Sequence, residues 1–181
     1  MTDDYMQAIE ELWKNPQGAS YAGEFISFKD VTLDPPPAQS PPRVWVGGNS
    51  DAALRRTVRF GQAWHPIRPR LDWLKSEAIP KLQRMAETAG KPVPALCPRI
   101  ACHINESPLP DDQRMAGEGS LEQMHSDLRQ LEELDAQYVV LDTKLSSPTA
   151  RSPKHHETAW AMLATVAEKL LDLDRGTVRS L

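Results

Sequence analysis

Cysteine is nearly missing from this 181-residue sequence: Cys97 and Cys102 are the only two, too few for a disulfide framework in a domain of this length. An excess of positive charge is missing too. The 21 basic and 25 acidic residues give a formal net charge of −4, and no dense basic run occurs. That excludes the electrostatic footprint of a nucleic-acid binder and of a protein drawn to an anionic membrane. No apolar run reaches membrane-spanning length, and the first residues, MTDDYMQAIEELW, are acidic and helix-patterned, which fits neither a secretory signal nor a transit peptide. No P-loop, dinucleotide fingerprint or strong nucleophile motif occurs. The expectation left standing is a cytoplasmic protein with a small-molecule substrate, no nucleic acid and no membrane.

What is present is an alternation of short apolar runs and helical patterns. Tyr5, Met6, Ile9, Leu12 and Trp13 recur at helical spacing behind Asp3 and Asp4, which suit the amino end of a helix dipole; Asn15-Pro16-Gln17-Gly18 stops the helix. Tyr21, Phe25, Phe28, Val31 and Leu33 fall in an irregular extended stretch, and the prolines of DPPPAQSPPR place residues 34–43 extended on the surface. Strands are expected at 44–46, 63–65, 95–104 and 138–141. The helices between them are expected at 50–60, ended by Gly61; at 71–89, kinked or restarted at Pro80 and ended by Gly90; and from Ser120, where Gln123 completes a capping box, to Leu134. A last helix over 156–173 is expected to bury Trp160, Leu163, Val166 and Leu170.

This order gives an α/β fold: one helix, an extended Pro-rich segment, then four βα units, which imply a parallel sheet with right-handed crossovers. Four units do not close a barrel, since the eight-stranded form takes ~250 residues, and an open four-stranded sheet leaves two edges unpaired. A helix with no strand ahead of it is an odd opening for a complete α/β domain. Residues 1–181 are therefore expected to form a single unit that looks like the back half of a larger fold.

The stretch VWVGGNSDAALRR offers one candidate site. Gly47-Gly48 lets the backbone approach a ligand, and a helix starting at Ser50 offers unpaired N–H groups and a favourable dipole to a phosphate. Equally, the two glycines make the turn and Asn49 or Ser50 caps the helix, the reading that spacing alone favours. Asp51 opposes an anion unless its carboxylate turns outward, toward Arg55 four residues on. Trp64 and His65 close the second strand, either as ring wall and polar contact of a pocket or as core filler beside a solvated histidine. Arg68 and Arg70 suit a solvated loop better than an acidic cofactor tail. Cys97, Cys102 and His103 alternate across a strand and cannot converge on a metal, and His155-His156-Glu157 reads as a helix start; no metal site is expected.

The run FISFKDVTLDPPPAQSPPRVWVGGNSDAALRRTVRFGQAWHP, from Phe25 to Pro66, together with LEELDAQYVVLD, resembles the luciferase-like monooxygenase family, in particular the branch using the deazaflavin coenzyme F420 in place of FMN. The resemblance covers nearly the whole chain and aligns with the carboxy-terminal half of the family's barrel, so that the strands here correspond to its fifth to eighth. It implies hydride transfer between F420, or alternatively FMN, and a small organic substrate. It also implies cofactor phosphate held by Gly48, Asn49 and Ser50, with Trp64 and His65 in the pocket, and it reverses the order of the two readings of the turn. The ring-facing residues of the family come largely from the first four strands, so the catalytic residues are not identified here. A homo-oligomer or a complementing amino-terminal half-barrel is the expected partner, and a non-catalytic truncated remnant or structural subunit is the alternative. Asp135 departs from the pattern, standing where relatives commonly have glycine.

Overall fold

The computed structural model describes residues 1–144 and 153–180, with side chains in the last helix from residue 156 onward. Helix α1 (Thr2–Lys14) forms as its spacing requires, with Asp3 and Asp4 in its first turn. Asp4 then does something the periodicity does not show. Its carboxylate accepts from Tyr21 Oη at 2.6 Å and from the backbone N–H of Phe25 and Ile26 at 2.8 and 3.2 Å. Those bonds tie down an antiparallel hairpin of β1 (Ala19–Ala22) and β2 (Ser27–Val31), where an irregular stretch was expected. A Cβ at Gly23 would lie 2.0 Å from Asp4 Oδ1, so the turn needs a residue without one. The hydrogen bond from Tyr21 holds Asp4 below the usual carboxylate range and raises the Tyr21 phenol in turn. Residues 34–43 carry no helix or strand and are mostly exposed, as their prolines demand.

Strand β3 (Trp45–Gly47) leads into α2 (Asp51–Phe60), whose amino end is capped by Ser50 Oγ accepting from Ala53 N at 3.3 Å. Gly61 ends α2 with φ −93°, and not in the left-handed region. It is small because a Cβ there would sit 3.0 Å from Thr57 O and Val46 Cγ2. After β4 (Ala63–His65) come α3 (Leu71–Trp73), a π-helical turn over Leu74–Ala78 and α4 (Ile79–Thr88). The wide turn is the answer to Pro80, which has no N–H to give and whose ring crowds the preceding turn; Ile79 N–H reaches back five residues to Leu74 O.

The strand expected over 95–104 is broken into β5 (Ala95–Leu96), β6 (Arg99–Ala101) and β7 (His103–Ile104), with Pro98 removing a donor between the first two. A further piece, β8 (Glu118–Gly119), pairs in parallel with β7 and was not expected. Helix α5 (Leu121–Glu133) starts in the full capping box of Ser120 and Gln123. Strand β9 (Val140–Asp142) begins two residues later than expected. Helix α6 (Pro153–Lys169) gives way to a hairpin of β10 (Leu171–Asp172) and β11 (Thr177–Val178), where the helix was expected to run on to 173. Trp160 is 71% exposed, a correction to its expected burial. The buried stripe of α6 runs through Ala159, Val166 and Leu170, and Trp160 stands about 100° round the helix from it.

The fold is mixed α/β. Pairing is parallel along β3–β4–β5, an isolated parallel bridge joins Ile67 to Arg99, and β6 pairs in parallel with β9. Helices cover one face of these strands. There Trp64, Leu74, Ile100, Met124, Leu131 and Val166 are fully buried in one cluster, each contributing ~1.5–3 kcal/mol by leaving water.

Candidate functional site

The other face of the same strands is partly open, its large side chains reaching solvent while the small Ala63 is buried among them. Register pairs Trp45 with Ala63, Gly47 with His65, Ile67 with Arg99 and Arg99 with Val140, which sets these residues side by side opposite the helix layer. Trp45 is 41% exposed, Ile67 and Val140 37%, and Tyr138 56%. The Trp45 ring lies between His65 and Tyr138, with centroids 5.7 and 5.5 Å away. Arg99 pairs with Asp142, whose other carboxylate oxygen takes the Lys144 N–H at 2.7 Å. His65 Nδ1 is 2.6 Å from Cys97 O. A carbonyl only accepts, so Nδ1 donates this bond, and in the neutral imidazole Nε2 is the acceptor.

At the carboxyl end of β3 the chain turns through Gly48, at φ +115°, where a Cβ would crowd Ala53 Cβ at 3.1 Å. Gly48 N–H donates to His65 O at 3.2 Å, and Gly48 O accepts from Trp64 Nε1 at 2.9 Å. Asn49 straps the turn to the next strand: its Nδ2 donates to Ile67 O at 2.8 Å and its Oδ1 accepts Ile67 N at 2.9 Å. Ser50 Oγ accepts from Ala53 N, which leaves its own proton free. The N–H groups of Asp51 and Ala52, first in α2, have no intrahelical acceptor. Asp51 turns to Lys81 Nζ at 2.6 Å, rather than to Arg55, and that bond holds its carboxyl below the usual range.

The structure thus brings Gly48, Asn49, Ser50 and His65 to one rim. Trp64 is on the opposite face with no exposed surface, edge-on to Trp73 at 6.0 Å, so of its two readings the core one describes its position. Its indole holds the Gly48 turn from behind. Arg68 and Arg70 are not loose: Arg68 Nη2 pairs with Glu118 at 2.6 Å, and Arg70 grips Asp72 through Nε and Nη2 at 3.1 and 2.8 Å.

Sequence reasoning missed how the rim is finished. Beyond β4, residues 116–119 take over as the neighbour of residues 101–105, through Ala101 N to Ala116 O, His103 N to Gly117 O and Asn105 N to Gly119 O at 2.7–3.1 Å. Arg114 secures this segment by a bidentate bond to the fully buried Asp127 at 2.6 and 2.9 Å, and Asp127 Oδ2 also takes Gly117 N–H at 2.8 Å. Asp127 raises the Arg114 guanidinium well above its ordinary value. One signal was available: Asp127 interrupts the apolar stripe of α5 between Met124 and Leu131, where an acid needs a buried partner.

Cys97 and Cys102 are buried free thiols, and burial pushes Cys102 up to about 11. Among the described residues no group of three or more His, Cys, Asp or Glu is placed to hold a metal ion. His156 and Glu157 are exposed near the start of α6, while the His155 side chain lies outside the described residues. No helix among the described residues is long and apolar enough to cross a membrane.

The sequence profile of the luciferase-like monooxygenase family matches residues 1–109. Among solved structures, the fold is similar to an F420-dependent secondary alcohol dehydrogenase in complex with an F420–acetone adduct, with TM-score 0.62 and 14% identity over 78% of this chain and 55% of that one. It is also similar to the monooxygenase RslO1 from Streptomyces bottropensis, with TM-score 0.62 and 16% identity over 92% of this chain and 59% of that one. The chain therefore spans under two thirds of the length of either, and at these identities the likeness is one of fold. No curated protein sequence matches the chain.

Proposed function

The chain belongs to the luciferase-like monooxygenase family, and from that premise we propose that it supplies the second half of a (β/α)8 barrel in an oxidoreductase dependent on coenzyme F420 or, alternatively, FMN. In this reading its four βα units are the fifth to eighth of the barrel, residues 1–181 act as one half-barrel unit, and the setting is cytoplasmic. The carrying observation is the partly open sheet face. A closed barrel fills its interior with side chains and rings its outside with helices, whereas here the helix side is packed and the other side leaves Trp45, Ile67, Tyr138 and Val140 in water. A second copy of the chain or a separate amino-terminal half covers that face and completes the pocket.

The residues at the rim fit a cofactor phosphate. Ser50 O–H and the N–H groups of Asp51 and Ala52 donate to it, Gly48 allows the close approach, and the Asp51 carboxylate is drawn off by Lys81. Asn49 and Trp64 act by fixing the turn, since their polar atoms are already bonded to Ile67 and Gly48. When bound, the deazaflavin or flavin ring supplies the hydride chemistry on a small organic substrate. His65 keeps its Nδ1 proton on Cys97 O and offers Nε2 as an acceptor beside Trp45, which excludes water once the face is covered.

The test is a fluorescence titration of the chain with F420 and with FMN, at a mass fixed by light scattering, alone and co-expressed with the first half of a luciferase-like barrel. Saturable quenching in an assembled state is expected, with affinity lowered about tenfold by Ser50→Asp, which keeps a cap but adds a second carboxylate. Failure of both cofactors to bind in every assembly sinks the proposal and leaves the non-catalytic subunit.

A further inference from the structure

We infer that the outer groove between α2 and α4 is a separate binding site for a small amphipathic anion, a carboxylate or phosphate head on an apolar body. It lies on the helix layer, across the sheet from the partly open face, and does not depend on the reading above.

The groove is open to solvent along its length and has a volume of about 560 Å³, within the ~300–1,000 Å³ of small-ligand sites. Helical spacing builds it from two stripes: Arg55, Val58 and Arg59 on α2, and Lys81, Arg84 and Met85 on α4. With Lys91 just beyond α4, five cations surround one groove in a chain whose formal net charge is −4. Two carboxylates answer them: Asp51 on Lys81 at 2.6 Å, and Asp3 on Arg59 at 3.3 Å. Lys91 Nζ donates to Arg59 O at 2.6 Å, which brings no negative charge. Arg55 reaches Asp51 only through the longer-range field, and among the described residues Arg84 makes no side-chain hydrogen bond or ion pair. Like charges three or four apart on a helix, as Arg55 with Arg59 and Lys81 with Arg84, repel and weaken it. An anion in the groove removes that repulsion.

The floor separates this site from a plain cationic patch. Val58 is buried and Met85 half-buried at its base, and methionine adapts its shape to an irregular apolar guest. No aromatic ring lines the groove to stack a base, and α2 is only ~15 Å long, so a nucleic-acid strand fits poorly. An alkyl or aryl body against Val58 and Met85, with its head toward Arg55 or Arg84, uses both features.

Isothermal titration of the full chain with decanoate at physiological salt tests this. One saturable site is expected, at least tenfold tighter than for acetate or decyltrimethylammonium. Arg84→Glu and Arg55→Gln, both at exposed or half-exposed helix positions and each checked by circular dichroism, are expected to weaken it about tenfold, while Trp45→Ser leaves it unchanged. Equal binding of acetate shows a cationic patch only, and equal binding of decyltrimethylammonium shows apolar adsorption only. Loss of binding in Trp45→Ser with none in Arg84→Glu places the ligand on the sheet face. Any of these three outcomes overturns the inference.

Discussion

Trp64 and Trp45 sit on neighbouring strands, one fully buried and hydrogen-bonded through its indole, the other 41% exposed. The strands, the residue type and the local pairing are alike; what differs is the layer above. On the helix side α2, α4, α5 and α6 supply the apolar cluster, while on the other side the Trp45 ring lies against His65 and Tyr138 and stays part exposed. Exposed aromatics on a sheet are therefore no sign of a badly patterned sequence here. On the proposed half-barrel reading they mark a surface for a second layer, and the two tryptophans measure how much a covering layer contributes.

Four variants break or sharpen the contrast. Trp64→Ala empties a closed site and frees the Gly48 carbonyl, so urea denaturation is expected to show a loss of about 3–5 kcal/mol. Asn49→Ala cuts both bonds to the Ile67 backbone at an exposed turn and is expected to cost about 1–2 kcal/mol, together with faster amide exchange at Ile67. Trp45→Ser with Tyr138→Ser is expected to change the stability of the isolated chain by less than about 1 kcal/mol and to abolish self-association or docking, read by light scattering. A drop like that of Trp64→Ala would mean that the face is not open. The smallest effect is expected from Asp135→Gly. Asp135 holds φ +57° between α5 and β9, where glycine carries less strain, and a gain of about 0.5 kcal/mol should appear as a slightly raised Tm.

The helices were legible because their signals are local: the Ser50 cap, the Ser120–Gln123 box and the proline that forced a π turn all act within one or two turns. The four strands expected after residue 43 were legible in existence and order, less so in bounds, since Pro98 and the rim segment at 116–119 divide the third one, while β8 and both hairpins were not legible. Which face each tryptophan takes was not legible. VWV and AWH carry apolar residues on both sides, so no two-residue alternation separates core from pocket. The hairpin over 19–31 depends on Asp4 and the rim on Asp127, contacts made across 10 to 22 residues that no local pattern encodes. The rim turn itself was found, but its division of labour needed coordinates: Asn49 as a strap, Asp51 facing Lys81.

The bond from the Trp64 indole to the Gly48 carbonyl has an optical consequence. Trp64 and the half-exposed Trp45 probe opposite sides of one sheet, the first dry and the second wet. If the turn is occupied as proposed, the acceptor of the inner chromophore shifts, and if the sheet is covered as proposed, the emission of the outer one moves to the blue. Two single-tryptophan versions of the protein thus carry intrinsic reporters that time these two events separately, with no added dye.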